Sequence, residues 1–240
     1  MIIDIHNHVG LSQDGGHSKL EDIIENMATY KISKVALFAV DEKGYEPTYK
    51  AQNTKVIAAR DQYPDKVIAF ARIIPSAGHI AVQEFKRCLK LGVKGLKMKM
   101  SYGLNPRDAK CILDLIADRS DFPVIIHTAH DEHSQPRIWE PVMARYPKIN
   151  FIMAHGGKDR YRQCNEVAIK HPNVYIDTST LSYNRTRHTY ANAGAEKILF
   201  GSDYPYSHPG VELKKLQLLV KDKKDLGLIL YKNAVRLLGL

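Results

Sequence analysis

The sequence predicts a (β/α)8 TIM barrel built by residues 1–240 as one domain, and three observations carry that expectation. The chain has 240 residues, close to the ~250 such a barrel uses. Eight short runs, apolar on both faces, alternate with amphipathic segments, the pattern of parallel strands covered by helices. The turn after the first run begins with His8 instead of a glycine-rich loop, which argues against an open, doubly wound sheet.

Each element has its own signal. The opening Met1–Gly10 reads as a strand, and alternation puts Asp4, His6 and His8 on one face. Leu20, Ile23, Ile24 and Met27 recur at helical spacing and predict a helix over 18–30 with Ser18 as its cap. Further strands are predicted at Lys34–Val40, Val67–Ala71, Val93–Met98, Pro123–His127, Ile149–Ala154, Val174–Asp177 and Lys197–Phe200. Between them the periodicity predicts helices at Pro47–Tyr63, Ile80–Leu91, Asn105–Ala117, Arg137–Tyr146, Tyr161–Lys170 and Arg185–Asn192, and a last helical region from Val211.

Composition bounds the function. With 44% hydrophobic and 25% charged residues the chain is an ordinary globular protein. It has no run of ~18 apolar residues and no signal-peptide pattern. Its three cysteines lack metal-type spacing, which predicts reduced thiols in a cytoplasmic protein. The net charge of +9 is compatible with nucleic acid or an anionic substrate, but clusters such as Lys214, Lys215, Lys221, Lys223 and Lys224 read as a solvated helix face.

In a barrel the active site lies where the strands end. His6 and His8 end the first predicted strand, Arg72 the third, Lys97 and Lys99 the fourth, His127 the fifth, His155 the sixth, Asp177 the seventh and Asp203 the eighth. Imidazoles and a carboxylate converging on one rim suit zinc or a similar ion with one coordination position left open. His6, His8, His127 and Asp203 make such a set, and a metal there lowers the pKa of bound water toward ~7. Asp203 is placed to shuttle the proton, and His155 to hydrogen-bond the water or the developing oxyanion. Arg72, Lys97, Lys99 and Tyr102 stand where a substrate carboxylate would bind, with Lys158 and Arg160 nearby on a loop. Asp177 is expected to orient a neighbouring histidine or lysine, and Asp4 to do the same below the metal.

Asp4-Ile-His-Asn-His8, Ile126-His127, Met153-Ala-His-Gly-Gly157, Pro172-Asn-Val-Tyr-Ile-Asp-Thr-Ser179, Phe200-Gly-Ser-Asp-Tyr-Pro205 and Asn233-Ala-Val-Arg-Leu-Leu-Gly-Leu240 together resemble the metal-dependent amidohydrolase superfamily. The subgroup resembled is amidohydrolase family 2, which includes aminocarboxymuconate semialdehyde decarboxylase and pyrone dicarboxylate lactonase. The resemblance implies a barrel, one divalent metal held by His6, His8, His127 and Asp203, and His155 as the water-directing histidine. In two-metal relatives His127 and His155 hold a second ion, with a carboxylated lysine or a glutamate on strand four as bridge, a place Lys97 could fill. Unmodified, Lys97 is instead an anion-binding cation.

The expected activity is hydrolysis of an amide or lactone in a small, carboxylate-bearing substrate, with zinc as the metal. The alternative is a non-oxidative decarboxylase of an unsaturated or aromatic acid. A metal-dependent deoxyribonuclease is a third reading, weakened by distributed positive charge and by lysine on strand four. A homo-oligomer is compatible with the sequence, and nothing in it points to a membrane.

Overall fold

The computed structural model describes residues 1–12, 15–41, 49–98, 106–129 and 131–240. Among the described residues nine strands form one sheet: β1 (Ile3–Leu11), β2 (His17–Ser18), β3 (Lys34–Ala39), β4 (Val67–Ile73), β5 (Gly95–Met98), β6 (Val124–His127), β7 (Phe151–Ala154), β8 (Val174–Asp177) and β9 (Ile198–Leu199). All neighbours from β1 through β3 to β9 pair in parallel, in chain order. The sheet closes on itself: Ile5 N donates to Phe200 O (3.0 Å), Asp203 N to His6 O (2.8 Å) and His8 N to Tyr204 O (2.9 Å). The result is the predicted eight-stranded barrel.

Helices α1 (Leu20–Thr29), α2 (Lys50–Gln62), α3 (His79–Lys90), α4 (Lys110–Leu113), α5 (Pro136–Arg145), α6 (Tyr161–Lys170) and α7 (Tyr183–Ala193) connect the strands, and α8 (Pro209–Leu219), α9 (Lys223–Gly227) and α10 (Asn233–Leu238) follow the last one. Side-chain alternation divides the core in two. Val35, Leu37, Val67, Ala69, Leu96, Met98, Val124 and Ile126 face the helices. Ile3, Ile5, Ala36, Phe38, Ile68, Phe70, Ile125 and Ile152 fill the barrel, and α10 adds Ala234, Leu237 and Leu238 to that inner cluster. Asn233 fixes α10 by donating to Ala195 O and Ile198 O, both at 2.8 Å.

Three local expectations change. Ser18 does not cap α1; it pairs antiparallel with the end of β1 as part of the short β2, and Lys19 takes the cap position. The segment predicted as one helix over 105–117 is a four-residue α4 between two 3-10 turns, Pro106–Ala109 and Asp114–Ile116. Asp4 does not sit under the histidines on a shared face. Pairing of β1 with β3 is irregular between Asp4 and Asn7, so Ile3 and Ile5 point into the barrel before the irregularity and His6 and His8 after it. The Asp4 carboxylate instead accepts the backbone N–H of Ser202 (2.8 Å) and His6 (3.2 Å), tying the first strand to the last loop.

Candidate functional site

At the C-terminal mouth of the barrel lies a cavity of about 460 Å³ walled by His8, Arg72, Lys97, His127, His155 and Asp203. β1 delivers His6 and His8, and the loop after β9 delivers Asp203 between them. Asp203 Oδ1 lies 3.0 Å from His6 Nε2 and 3.1 Å from His8 Nε2. His155 Nδ1 stands 3.7 Å from Asp203 Oδ2, and its Nε2 is 3.2 Å from His127 Nδ1. His127 therefore joins the cluster through His155. Lys97, 2% exposed, reaches from β5 to place Nζ 3.2 Å from His6 Nε2, with the Phe38 ring 5.0 Å away.

Asp177 stands behind His6. Its Oδ2 is 2.5 Å from His6 Nδ1, and Ser179 donates to both carboxylate oxygens (2.8 Å each, from N and Oγ). Closure of the barrel is tight here: Gly201 passes so near that a Cβ would collide with Asp177 and His6.

Electrostatics set the protonation states. Burial lowers His8 to about 4 despite its Asp203 hydrogen bond, so its imidazole is neutral at pH 7. Burial likewise holds His155 well below the ordinary histidine value. Burial and the Lys97 charge push His6 down, but Asp203 and Asp177 outweigh them and raise it. Burial would raise Asp203, yet the surrounding imidazoles, His6 and His155 above all, keep its carboxyl well below the usual carboxylate range. Burial, reinforced by Arg72, lowers Lys97 to about 7.

Arg72 lines the cavity but is already engaged. Its guanidinium donates to Ala39 O (2.7 Å) and pairs with Asp41, which follows β3. Lys99 and Tyr102, the other two residues expected to bind substrate, lie outside the described residues. Sequence reasoning passed over Asp41, Thr180 and Tyr206, all of which line the cavity. Tyr206 stacks edge-on against His8 (5.4 Å between centroids) and its hydroxyl is 2.6 Å from Ser12 Oγ.

Backbone strain concentrates at the same place. His155 (φ 60°), Lys158 (φ 47°), Thr180 (φ 58°) and Asp203 (φ 60°) are left-handed without being glycine, and all four line the cavity. Such a conformation costs about 1–3 kcal/mol each and persists only where surrounding structure enforces it. At Asp203 the enforcement is visible in its N–H bond to His6 O (2.8 Å) and its carbonyl's bond from Tyr206 N (2.8 Å).

The donor set fits a divalent metal ion. His6, His8 and Asp203 offer one ligand atom each, within 4.8 Å of one another, all buried. Two imidazole nitrogens suit a borderline ion such as zinc, and the carboxylate oxygen also suits a harder one such as manganese. Asp177 holds His6 by Nδ1, which leaves Nε2 turned toward the site, the arrangement that carboxylates impose on ligating histidines.

No curated protein matches the chain. Among solved structures it is similar to a candidate amidohydrolase from Staphylococcus aureus, with 20% identity, a TM-score of 0.80, and coverage of 100% of this chain and 99% of that one. It is similar to 5-carboxyvanillate decarboxylase from Sphingomonas paucimobilis at 12% identity, TM-score 0.78, covering 100% and 99%. A dihydroxybenzoic acid decarboxylase from a Polaromonas species, described with manganese and the inhibitor 2-nitroresorcinol, matches at 15% identity and TM-score 0.72, covering 100% and 97%. At these identities the likeness establishes the barrel. The family model described as Amidohydrolase matches residues 3–240, and so this chain belongs to the amidohydrolase family.

Proposed function

We propose that the protein is a divalent-metal-dependent, non-oxidative decarboxylase of a small aromatic or unsaturated acid. The observation that carries this reading is the cavity itself. Among the described residues its polar wall holds Lys97 and Lys158 beside the paired Arg72 and Asp41, and Asp203, whose charge a divalent ion would offset, so the space suits an anion. The relatives described as acting on 5-carboxyvanillate and dihydroxybenzoic acid add support, because those substrates are small aromatic carboxylates.

Decarboxylation replaces a carbon–carbon bond by a carbon–hydrogen bond: CO2 departs, the bonding electron pair stays on the ring carbon, and that carbon takes up a proton. A divalent ion held by His6, His8 and Asp203, with His127 at hand in the cavity wall, would supply Lewis acidity toward the substrate's oxygens. The chain supplies the rest. Asp203 is ionised in the free site, so it can accept a proton from the substrate or solvent and hand it to the carbon losing CO2. His155, within 3.7 Å of Asp203 Oδ2, steadies that proton from the cavity wall. Lys97 meets the carboxylate, and Arg72, held by Asp41, adds its charge beside it.

Manganese is the first metal to test, given the Polaromonas relative, and zinc the second. A second ion bridged from strand four would require carboxylated Lys97, which carbon-13 NMR of the folded protein loaded with labelled bicarbonate reads as a carbamate carbon. Hydrolysis of a lactone or amide is the competing reading, since the same ligands and Asp203 can serve an attacking water. Metal-loaded protein incubated with panels of aromatic carboxylates, lactones and amides decides between them. CO2 release without a hydrolytic product is expected; ring opening or amide cleavage without CO2 would overturn the proposal.

A further inference from the structure

Beside the catalytic cavity runs a second, larger one of about 960 Å³, between the start of α7 and the length of α8. Its character differs. Tyr30, Leu181, Tyr183, Tyr206, Val211 and Leu218 give it a largely apolar lining. Of the ten large apolar residues that stand exposed among the described residues, four are in this groove: Tyr183 (47% exposed), Tyr206 (43%), Val211 (61%) and Leu218 (49%). Apolar surface gathered in one place marks something that binds there.

The groove and the catalytic cavity share two residues, Thr180 and Tyr206. Both belong to a wall that is held firmly. Thr180 N–H donates to Glu212 Oε1 (3.2 Å), and Ser207 Oγ donates to the same oxygen (2.8 Å). Lys215 pairs with Glu212 and donates to Thr178 O (2.9 Å) and Leu181 O (2.7 Å). On the catalytic side of this wall Thr180 Oγ1 is 3.3 Å from His155 Nδ1, and the Tyr206 ring stands against His8. Thr180 and Tyr206 therefore border both the metal-ligand cluster and the apolar groove.

The geometry points to a second subsite: the groove between α7 and α8 takes an apolar substituent of the substrate, whose carboxylate end lies in the catalytic cavity. The inference rests on the reading of that cavity as a site for a small carboxylic acid, and narrows the class to acids carrying an alkyl or aryl extension. Tyr206 lines both spaces and places its ring at their junction. The polar cavity supplies orientation and the groove supplies area, the usual division of labour in a small-molecule site.

Equilibrium binding tests this without requiring turnover. The probes are benzoate and its 3- and 4-ethyl, butyl and hexyl derivatives, titrated by calorimetry into the metal-loaded protein. Affinity should rise about twofold to fourfold per added methylene at one ring position. Val211→Asp should abolish that increment, and Ile169→Asp, an exposed apolar residue on α6 outside the groove, should leave it intact. Equal affinity across the series would overturn the subsite while leaving the acid reading in place. Failure of benzoate itself and every derivative to bind would overturn both. A wild-type dimer that Val211→Asp dissociates in sedimentation would overturn the subsite in favour of a contact between copies of the chain.

Discussion

His6 Nδ1 and Asp177 Oδ2 lie 2.5 Å apart, both side chains fully buried, 171 residues apart in the chain. This contact fixes which nitrogen of His6 faces Asp203 and Lys97. Carboxylates behind ligating histidines typically account for ~10- to 100-fold in metal affinity. Asp177→Asn keeps the shape and can still accept the Ser179 N–H, but it loses the anionic partner of Nδ1. We expect a drop of that size in manganese or zinc affinity, read by chelator competition, with the far-ultraviolet spectrum unchanged. Unaltered metal affinity would remove Asp177 from the site's support.

The roles of His6 and His155 separate in the same experiment. His6 Nε2 is within 3.0 Å of Asp203 Oδ1, whereas His155 meets Asp203 only at 3.7 Å and spends its Nδ1 on Ser179 Oγ (3.0 Å) and Thr180 Oγ1 (3.3 Å). His6→Ala is expected to lose both metal and activity. His155→Ala is expected to retain one ion per chain by elemental analysis and lose ~100-fold or more in turnover, the range of a proton-transfer group. Metal loss in both variants would make His155 a ligand.

How much of this was legible in the sequence follows from the range of the forces involved. Strands and long helices announce themselves by periodicity, which is local, so Tyr161–Lys170 and Val174–Asp177 appear with the predicted bounds. The convergence of His6, His8, His155 and Asp203 was legible because barrel topology places every strand end on one rim. Asp41 carried no signal, since its pairing with Arg72 depends on the side-by-side register of β3 and β4. The left-handed residues were equally silent: His155, Thr180 and Asp203 are not glycine, and the bonds from Thr180 N to Glu212 and from Asp203 N to His6 O join segments far apart in the chain. The inward turn of His6 was misread in part, because a single irregularity in β1 reverses the alternation that placed Asp4 beside it.

Glu212 couples α8 to the site through Thr180. The carboxylate accepts from Thr180 N and Ser207 Oγ and pairs with Lys215, all with little solvent contact. Glu212→Ala leaves the Lys215 ammonium buried without its partner, a change that costs about 3–5 kcal/mol when a buried pair is broken. It also frees Thr180 from its left-handed conformation and so from His155. The urea midpoint should fall accordingly, and turnover should fall further than Glu212→Gln, which keeps an acceptor for Thr180 N–H. Equal activity in the two variants would show that the link to His155 carries no function.

Acid should loosen the opposite wall through Glu84. This α3 carboxylate, 4% exposed, accepts from Arg87 Nε (2.7 Å), Arg87 Nη2 (2.8 Å) and Asn53 Nδ2 (3.0 Å). Asn53 in turn accepts the Arg72 N–H (2.8 Å) and donates to Arg72 O (3.0 Å), so the network holds the backbone that carries Arg72 into the cavity. Burial alone would raise the Glu84 pKa, but the hydrogen bonds, Arg87's first, outweigh it and hold it below the ordinary glutamate range. A carboxyl with a depressed folded-state pKa adds stability above its unfolded pKa of ~4.3 and loses it as the pH falls through the folded value. The stability gap between wild type and Glu84→Gln should thus be constant from pH 7 to about pH 5 and shrink at lower pH, followed by urea unfolding at each value. A gap that stays the same at pH 3.5 would mean that the charge on Glu84 contributes nothing and that shape alone holds Asn53 in place.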